Sequence, residues 1–158
     1  METLMFSLGR DIVAELGPCA FALPATSATA GGAGDGTAAN GVTIDLTALP
    51  GGVRAESIAF LIGAKATLAA TKTLTVAARI LTSPDGSVWT EAVASASILV
   101  LTGGAGGTTE AGTGRIGISL EYCKQFVRME VTPDLSATAT DTASLFGLAV
   151  FGGADRLP

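Results

Sequence analysis

There is no histidine in this 158-residue chain, so the side chain best placed to exchange protons near neutral pH is missing, and with it every Ser-His-Asp or Cys-His arrangement for nucleophilic catalysis. Cysteine is nearly as scarce. Cys19 and Cys123 lie far apart, without metal-ligand spacing and without histidine to complete a zinc site. They are expected to be small, buried, reduced side chains. Aromatic residues make up 5% of the chain, with one Trp and one Tyr, which leaves little from which to build a stacking platform for a sugar. Charged residues are 15%, the nine Lys and Arg are scattered, and the net charge is -5 with a pI of about 4.5. A nucleic-acid partner needs clustered cations and is therefore not expected. Mean hydropathy is positive at +0.53, yet no apolar run approaches the roughly 18 to 20 residues that span a bilayer. The first residues, METLMFSLGRDIVAELG, carry no basic leader ahead of an apolar stretch, so no export signal is expected and synthesis in a reducing cytoplasm follows.

What the chain does have is small residues. Hydrophobic residues are 48%, chiefly Ala, Val, Leu and Ile, and there are 21 Gly. Such a composition suits thin strands lying close to other backbones. The low charge leaves two readings open, a surface given over to protein contact or a Gly/Ala/Thr surface of no special meaning. The length fits one domain.

The clearest local signal is Ser83 to Ala92, SPDGSVWTEA, which follows the apolar run Leu74 to Leu81. Pro84 presets the φ of a turn, Asp85 and Gly86 supply the remaining reversal angles, and Trp89 starts a return strand, so the segment predicts a β-hairpin with Trp89 buried between sheets. Other short apolar segments recur between turn signals: Val42 to Leu46, Ser57 to Ile62, Val88 to Ala94, Ile98 to Leu101, Ile116 to Leu120, Phe126 to Thr132 and Ser144 to Phe151. Leu74, Val76, Ala78 and Ile80 alternate with Thr75, Ala77 and Arg79, and Val127, Met129 and Val131 alternate with Arg128, Glu130 and Thr132, the period-2 pattern of half-buried strands. The nearly all-apolar Leu145 to Phe151 reads as a central strand. About eight strands in one domain predict an all-β, single-domain β-sandwich of jelly-roll type.

Ahead of it, Leu4, Leu8, Ile12 and Leu16 fall at intervals of four, the spacing of a short amphipathic helix ended by Gly17 and Pro18. Ala20 to Gly41 is Ala, Thr and Gly with few anchors, so residues 1 to 41 are expected to form an arm or loop, with residues 42 to 158 forming the sandwich. An arm of this kind is ordered by association, with Phe21, Leu23 and the Leu4/Leu8/Ile12 stripe as its anchors.

Three motifs invite chemistry. GTGRIG at Gly112 to Gly117 fits G-x-G-x-x-G, but TTEA precedes it and the β-like ISL follows, so a turn entering a strand explains the glycines better than a dinucleotide site. GGAGDG at Gly31 to Gly36 approximates a calcium-binding repeat in one copy only, and such repeats act when stacked. Asp134 and Asp141 could offer oxygen to a cation, although TPDLS at Thr132 to Ser136 is more simply a turn. Asp45, Glu56, Asp85, Glu91, Glu121 and Glu130 could in principle form a carboxylate pair, but they fall at turns or solvent faces. No catalytic set, cofactor site or metal set is expected. Arg79, Arg115 and Arg128 fall on or beside strands, and Arg128 has Glu130 two positions on, along the same face.

NGVTIDL at Asn40 to Leu46, ESIAFLIGA at Glu56 to Ala64, SPDGSVWTEA, LEYCKQFVRMEVTPDLS and the terminal GLAVFGGADRLP together resemble the small capsid decoration, or cement, proteins of tailed bacteriophages. In that family an ID strand, an S-x-DG-x-x-W/F hairpin and a K-x-(F/Y)-V-R strand occur in this order, and the resemblance covers roughly residues 40 to 158. It implies a jelly-roll-like sandwich that binds the outside of an assembled head and bridges neighbouring capsomers as a homo-oligomer, a dimer or trimer. The implied partners are the major capsid protein and other copies of the chain, with no nucleic acid and no membrane, and the implied location is the outer surface of the virion after synthesis in the host cytoplasm. By motif match Asp45, Asp85, Trp89, Phe126, Val127 and Arg128 would keep the fold. A second reading from another class is a carbohydrate- or receptor-binding β-sandwich on a virion or cell surface, which the scarcity of Trp and Tyr disfavours.

Overall fold

The computed structural model describes residues 19–49, 52 and 54–153. Among the described residues nine strands follow one another: β1 (Cys19–Thr29), β2 (Ala39–Asn40), β3 (Ile44–Asp45), β4 (Ser57–Leu68), β5 (Thr73–Ser83), β6 (Thr90–Thr102), β7 (Thr108–Ser119), β8 (Phe126–Leu135) and β9 (Thr142–Gly152), with a 3-10 turn at Leu120–Tyr122. Every pairing is antiparallel. The first sheet has the order β1-β9-β4-β7 and the second β2-β8-β5-β6, with β3 also on β8. Because β2 and β3 pair with successive parts of β8, they act as one broken strand. The chain then passes from one sheet to the other at every connection except the β5–β6 hairpin. This is the wrapped order of a jelly roll, and the molecule is an all-β sandwich.

Side-chain alternation explains why these strands stack. In β4, Ile58, Phe60, Ile62, Ala64, Ala66 and Leu68 are buried while the residues between them point away. Leu74, Val76, Ala78 and Ile80 of β5, Val127, Met129 and Val131 of β8 and Ala143, Leu145, Ala149 and Phe151 of β9 meet them in one core. The sheets approach closely where side chains are smallest: a Cβ on Gly147 would lie 2.7 Å from Cε of Met129 and 3.0 Å from Cβ of Leu23.

The expected boundary at residue 41 falls inside this unit. β1 pairs along β9 from Cys19 to Thr29, and Ala22, Leu23, Ala28 and Ala30 are in the core. The glycine-rich stretch after it is fixed by polar contacts in place of apolar ones. Asp35 accepts N–H hydrogen bonds from Gly31 at 2.8 Å and from Leu135 of β8 at 2.8 Å, and Gly31, Gly34 and Gly36 take the positive φ that the winding backbone needs. Residues 19 to 41 are therefore part of the sandwich, not an arm. The predicted helix over Leu4 to Leu16 lies outside the described residues.

Two expected turns are strand instead. GTGRIG lies within β7, where Gly114 faces β6 so closely that a Cβ would stand 2.8 Å from the Ile98 carbonyl oxygen. Thr132 to Leu135 continues β8, with Pro133 opposite Val76. The segments expected at Val88 to Ala94 and Ile98 to Leu101 are one strand, β6, while the hairpin and the central place of β9 match expectation.

Phe60 is fully buried and Phe146 is exposed, which separates fold from surface in a single comparison. Phe60→Ala is expected to cost about 3 to 5 kcal/mol in denaturant unfolding, and Phe146→Ala about 1 kcal/mol or less, with an unchanged m value. Equal losses at the two positions would contradict this division.

Candidate interaction surface

The two sheets turn different faces to solvent. On the outside of the first sheet, cross-strand pairing sets Phe21 beside Leu148, Leu148 beside Leu61, and Leu61 beside Arg115, one row across all four strands. Phe21 is 52% exposed, Leu148 40% and Leu61 41%. In the next row Phe146, 56% exposed, stands opposite Gly63, and a Cβ there would lie 2.8 Å from its ring, so the ring rests across the glycine. Cys19, Val150 and Ala59 form the row on the other side. Four large apolar side chains thus share one face. At the far end of the same face the rows become Ser27, Ser144, Lys65, Ala111 and then Thr29, Thr142, Thr67, Thr109. Its charged side chains among the described residues are Lys65 and Arg115, both cationic.

The outside of the second sheet is mostly polar, with Val100 of its edge strand β6, opposite Thr75, the large apolar exception. Arg79 donates from Nε to Glu130 Oε1 at 2.6 Å and pairs through Nη1 with Glu91 Oε2 at 3.5 Å, joining β8, β5 and β6. Arg128 places its guanidinium carbon 4.1 Å from the centre of the Trp89 ring. Glu130 therefore answers Arg79, its direct partner across the strands, and not Arg128, as expected from their shared face.

The residues singled out in the sequence have separate roles. Trp89 is half-buried, on the outer side of the second sheet, and not between the sheets; the hairpin loop carries it past the last β5–β6 pair, Thr82 with Thr90. Leu23 is fully buried, which removes it as a contact anchor, whereas Phe21 two residues earlier is in the apolar row. Val127 is core, and Phe126 begins β8 opposite Ser83 and Asp45. Asp45 accepts from the Thr47 hydroxyl at 2.7 Å and the Thr47 N–H at 2.9 Å, bonds that lower its carboxyl pKa. Asp85 Oδ1 accepts from the N–H groups of Val88 at 3.0 Å and Ser87 at 2.9 Å and from the Ser83 hydroxyl at 3.0 Å, and these, Val88 foremost, hold its carboxyl well below the usual range. Both are turn-keeping carboxylates. Cys19 is exposed, contrary to expectation, and Cys123 is half-buried, its thiol pKa raised by burial.

Sequence reasoning missed Leu61, Phe146 and Leu148. The signal for Phe146 and Leu148 is the nearly all-apolar run of β9, which reads as a central strand, and for Leu61 the consecutive apolar residues Ile58 to Ile62 of β4. β9 is central within its sheet, but a two-layer sandwich leaves one of its faces uncovered. The candidate cation loop is otherwise engaged: both Asp141 oxygens accept the Ala69 N–H at 3.1 Å, and among the described residues no three His, Cys, Asp or Glu gather as a ligand set. No described helix is long and apolar enough to cross a membrane.

No family model matches the chain, and no curated protein matches it. Solved structures do. The infectious bursal disease virus structure of the Gx strain superposes with a TM-score of 0.51 at 11% identity over 89% of this chain and 33% of that one. The T=1 particle structure derived from infectious bursal virus gives 0.45 at 16% identity over 86% and 31%, and the PBSX exported protein XepA gives 0.44 at 14% identity over 89% and 38%. The chain thus spans about a third of the length of the structures it matches. The likeness to the first is one of fold.

The lowered folded-state pKa of Asp85 makes its turn pH-dependent in a definite direction. A depressed carboxyl contributes fully above its unfolded pKa of about 3.9 and loses that contribution as the pH falls toward the folded value. Asp85→Ala should lower Tm at pH 7, and the gap from wild type should shrink below about pH 4 and be mostly gone by about pH 2. A gap as large at pH 2 as at pH 7 would show that the hydrogen bonds to the ionised carboxylate are not its source.

Proposed function

We propose that this chain is a structural virion protein that binds the outer surface of an assembled phage capsid and cements neighbouring capsomers as a homo-oligomer. The observation that carries the reading is the contrast between the two outer faces. One is held by ion pairs and a cation–π stack, while the other sets Phe21, Leu61, Phe146 and Leu148 side by side in solvent. Large apolar groups grouped on one face are the mark of a contact surface. The motif resemblance to capsid decoration proteins supplies the partner, and the jelly roll, likened in fold to a virus structure, is compatible with it.

Nothing in the site favours an enzyme. The carboxylates best defined in the structure, Asp35, Asp45, Asp85 and Asp141, are engaged with backbone N–H groups in turns and loops. The alternative of a sugar-binding module loses its best platform, because one face of Trp89 is occupied by Arg128.

Heads lacking this chain, incubated with purified protein, should acquire regularly placed external density in electron micrographs and resist heating better. Paired Leu61→Asp and Leu148→Asp should leave the chain folded and abolish retention on dilution. Failure of the wild-type chain to bind heads, together with selective binding on a glycan array, would reverse the order of the two readings.

A further inference from the structure

We propose that the apolar outer face of the first sheet is the seat of the same face of a second copy of this chain, related to it by a two-fold axis that runs along the strands between β9 and β4. The inference rests on the homo-oligomer part of the reading above and not on the capsid.

The face has the makeup of a covered contact. Lys65 and Arg115 are the only charged residues that β1, β4, β7 and β9 turn outward on it, and depletion of charge marks the centre of protein interfaces. Its size is also sufficient. Four strands about 4.8 Å apart, covered over about eight residues of about 3.4 Å rise, offer roughly 500 Å² per copy in plan, so a pair covers on the order of 1,000 Å², where specific interfaces begin. Two such sheets stack with their strands nearly aligned, about 10 Å apart, as the two sheets within the molecule do.

The rows across the sheet decide how a copy fits. From β1 to β7 the apolar row reads Phe21, Leu148, Leu61, Arg115. A two-fold along the strands reverses the order of the strands and keeps each row at its own level. Leu148 then lies over Leu61 of the second copy, and Arg115 over Phe21 of the second copy, where the ring face can take the guanidinium. The adjoining rows fit by the same operation. Val150 meets Ala59, Cys19 meets Gly117 and Lys65 meets Ser144, so larger groups stand over smaller ones and no two cations meet. Phe146 stands over Gly63, which has no side chain to oppose it, and the two Phe146 rings, each resting across its own glycine, stack at the axis.

The other two-fold in the plane of the face runs across the strands along the apolar row. It would set Phe21 on Phe21 and Arg115 on Arg115, bringing two guanidinium groups together at the border of an apolar contact. Like charges placed so are costly, and charge therefore selects the axis along the strands. A contact of this kind uses the same surface on both copies, so it closes at a dimer.

Sedimentation equilibrium of the full-length chain without capsid tests this. The wild type should be a dimer at micromolar concentration. Leu61→Lys and Leu148→Glu, both at exposed positions, should each be monomeric with an unchanged β-type circular dichroism spectrum, because either homodimer would press a charge against leucine. An equimolar mixture of the two variants should associate about tenfold more tightly than either alone, as a dimer holding one of each. In that dimer the introduced charges meet in one of the two Leu61–Leu148 contacts, and the other contact stays leucine on leucine. A mixture of Leu61→Lys with Leu61→Glu should recover nothing; recovery there would place Leu61 over its own counterpart and overturn the axis. A wild type that is monomeric or larger than a dimer, dimerisation that survives both single substitutions, or no recovery in the first mixture would overturn the proposal. Since no capsid is present, a failure here leaves the binding of the chain to heads to be decided by its own experiment.

Discussion

A two-layer sandwich buries one face of each sheet and leaves the other to water, and the distribution of side chains in this molecule follows from how each sheet meets that constraint. The second sheet meets it in the ordinary way. Its inner positions are Leu74, Val76, Ala78, Ile80, Val127, Met129 and Val131, and its outer positions carry Arg79, Glu130 and Arg128. The first sheet does not. β4 and β9 bury Phe60, Ile62, Leu145 and Phe151 inside and still place Leu61, Phe146 and Leu148 outside. The apolar area outside contributes nothing to folding of the lone chain, since it stays wet; it becomes favourable only when something covers it.

Small residues make the inner packing possible and leave the loops with few anchors, and carboxylates supply the deficit. Asp35 ties the loop after β1 to β8, Asp45 closes the turn after β3, Asp85 closes the hairpin, and Asp141, itself buried, joins the β8–β9 loop to the β4–β5 turn through the Ala69 N–H. Each bond to an ionised acceptor is stronger than a neutral one. The acidic pI is in this sense partly an internal feature: several carboxylates serve the backbone and are not presented to a ligand.

How much of this was legible in the sequence depends on which physical signal each segment carries. Strands with one wet and one dry face, such as β5 and β8, announce themselves by alternation, and the hairpin by Pro84, Asp85 and Gly86. β1 did not, because its core contacts come from Ala22, Ala28 and Ala30, too small to stand out in an Ala/Thr/Gly stretch, and because the following loop is held by one carboxylate that composition does not reveal. Trp89 was misplaced because a lone large aromatic near a turn suggests burial, whereas here its ring packs with a guanidinium reached only across β5 and β8. The apolar face was visible as the run Leu145 to Phe151, but sequence periodicity cannot say whether the second face of such a strand is covered by the same fold or by a partner.

The edges of the sheets bear on which kind of partner that is. A jelly roll has open edges, and a long flat edge would favour growth by strand pairing. Here each edge is blunted. β1 carries Pro24 and two register shifts against β9, β2 and β3 are two-residue pieces, and β6 breaks register with β5 three times. β7 has Gly112 and Gly114 turned toward β6, close enough that a Cβ on Gly112 would meet Leu101 at 2.9 Å, so the two edges on that side of the sandwich lie against each other. With edge pairing discouraged on both sides, association falls to the faces, and of the two faces that of the first sheet, which groups Phe21, Leu61, Phe146 and Leu148 against Val100 on the second, offers the larger apolar set whose removal from water can drive it.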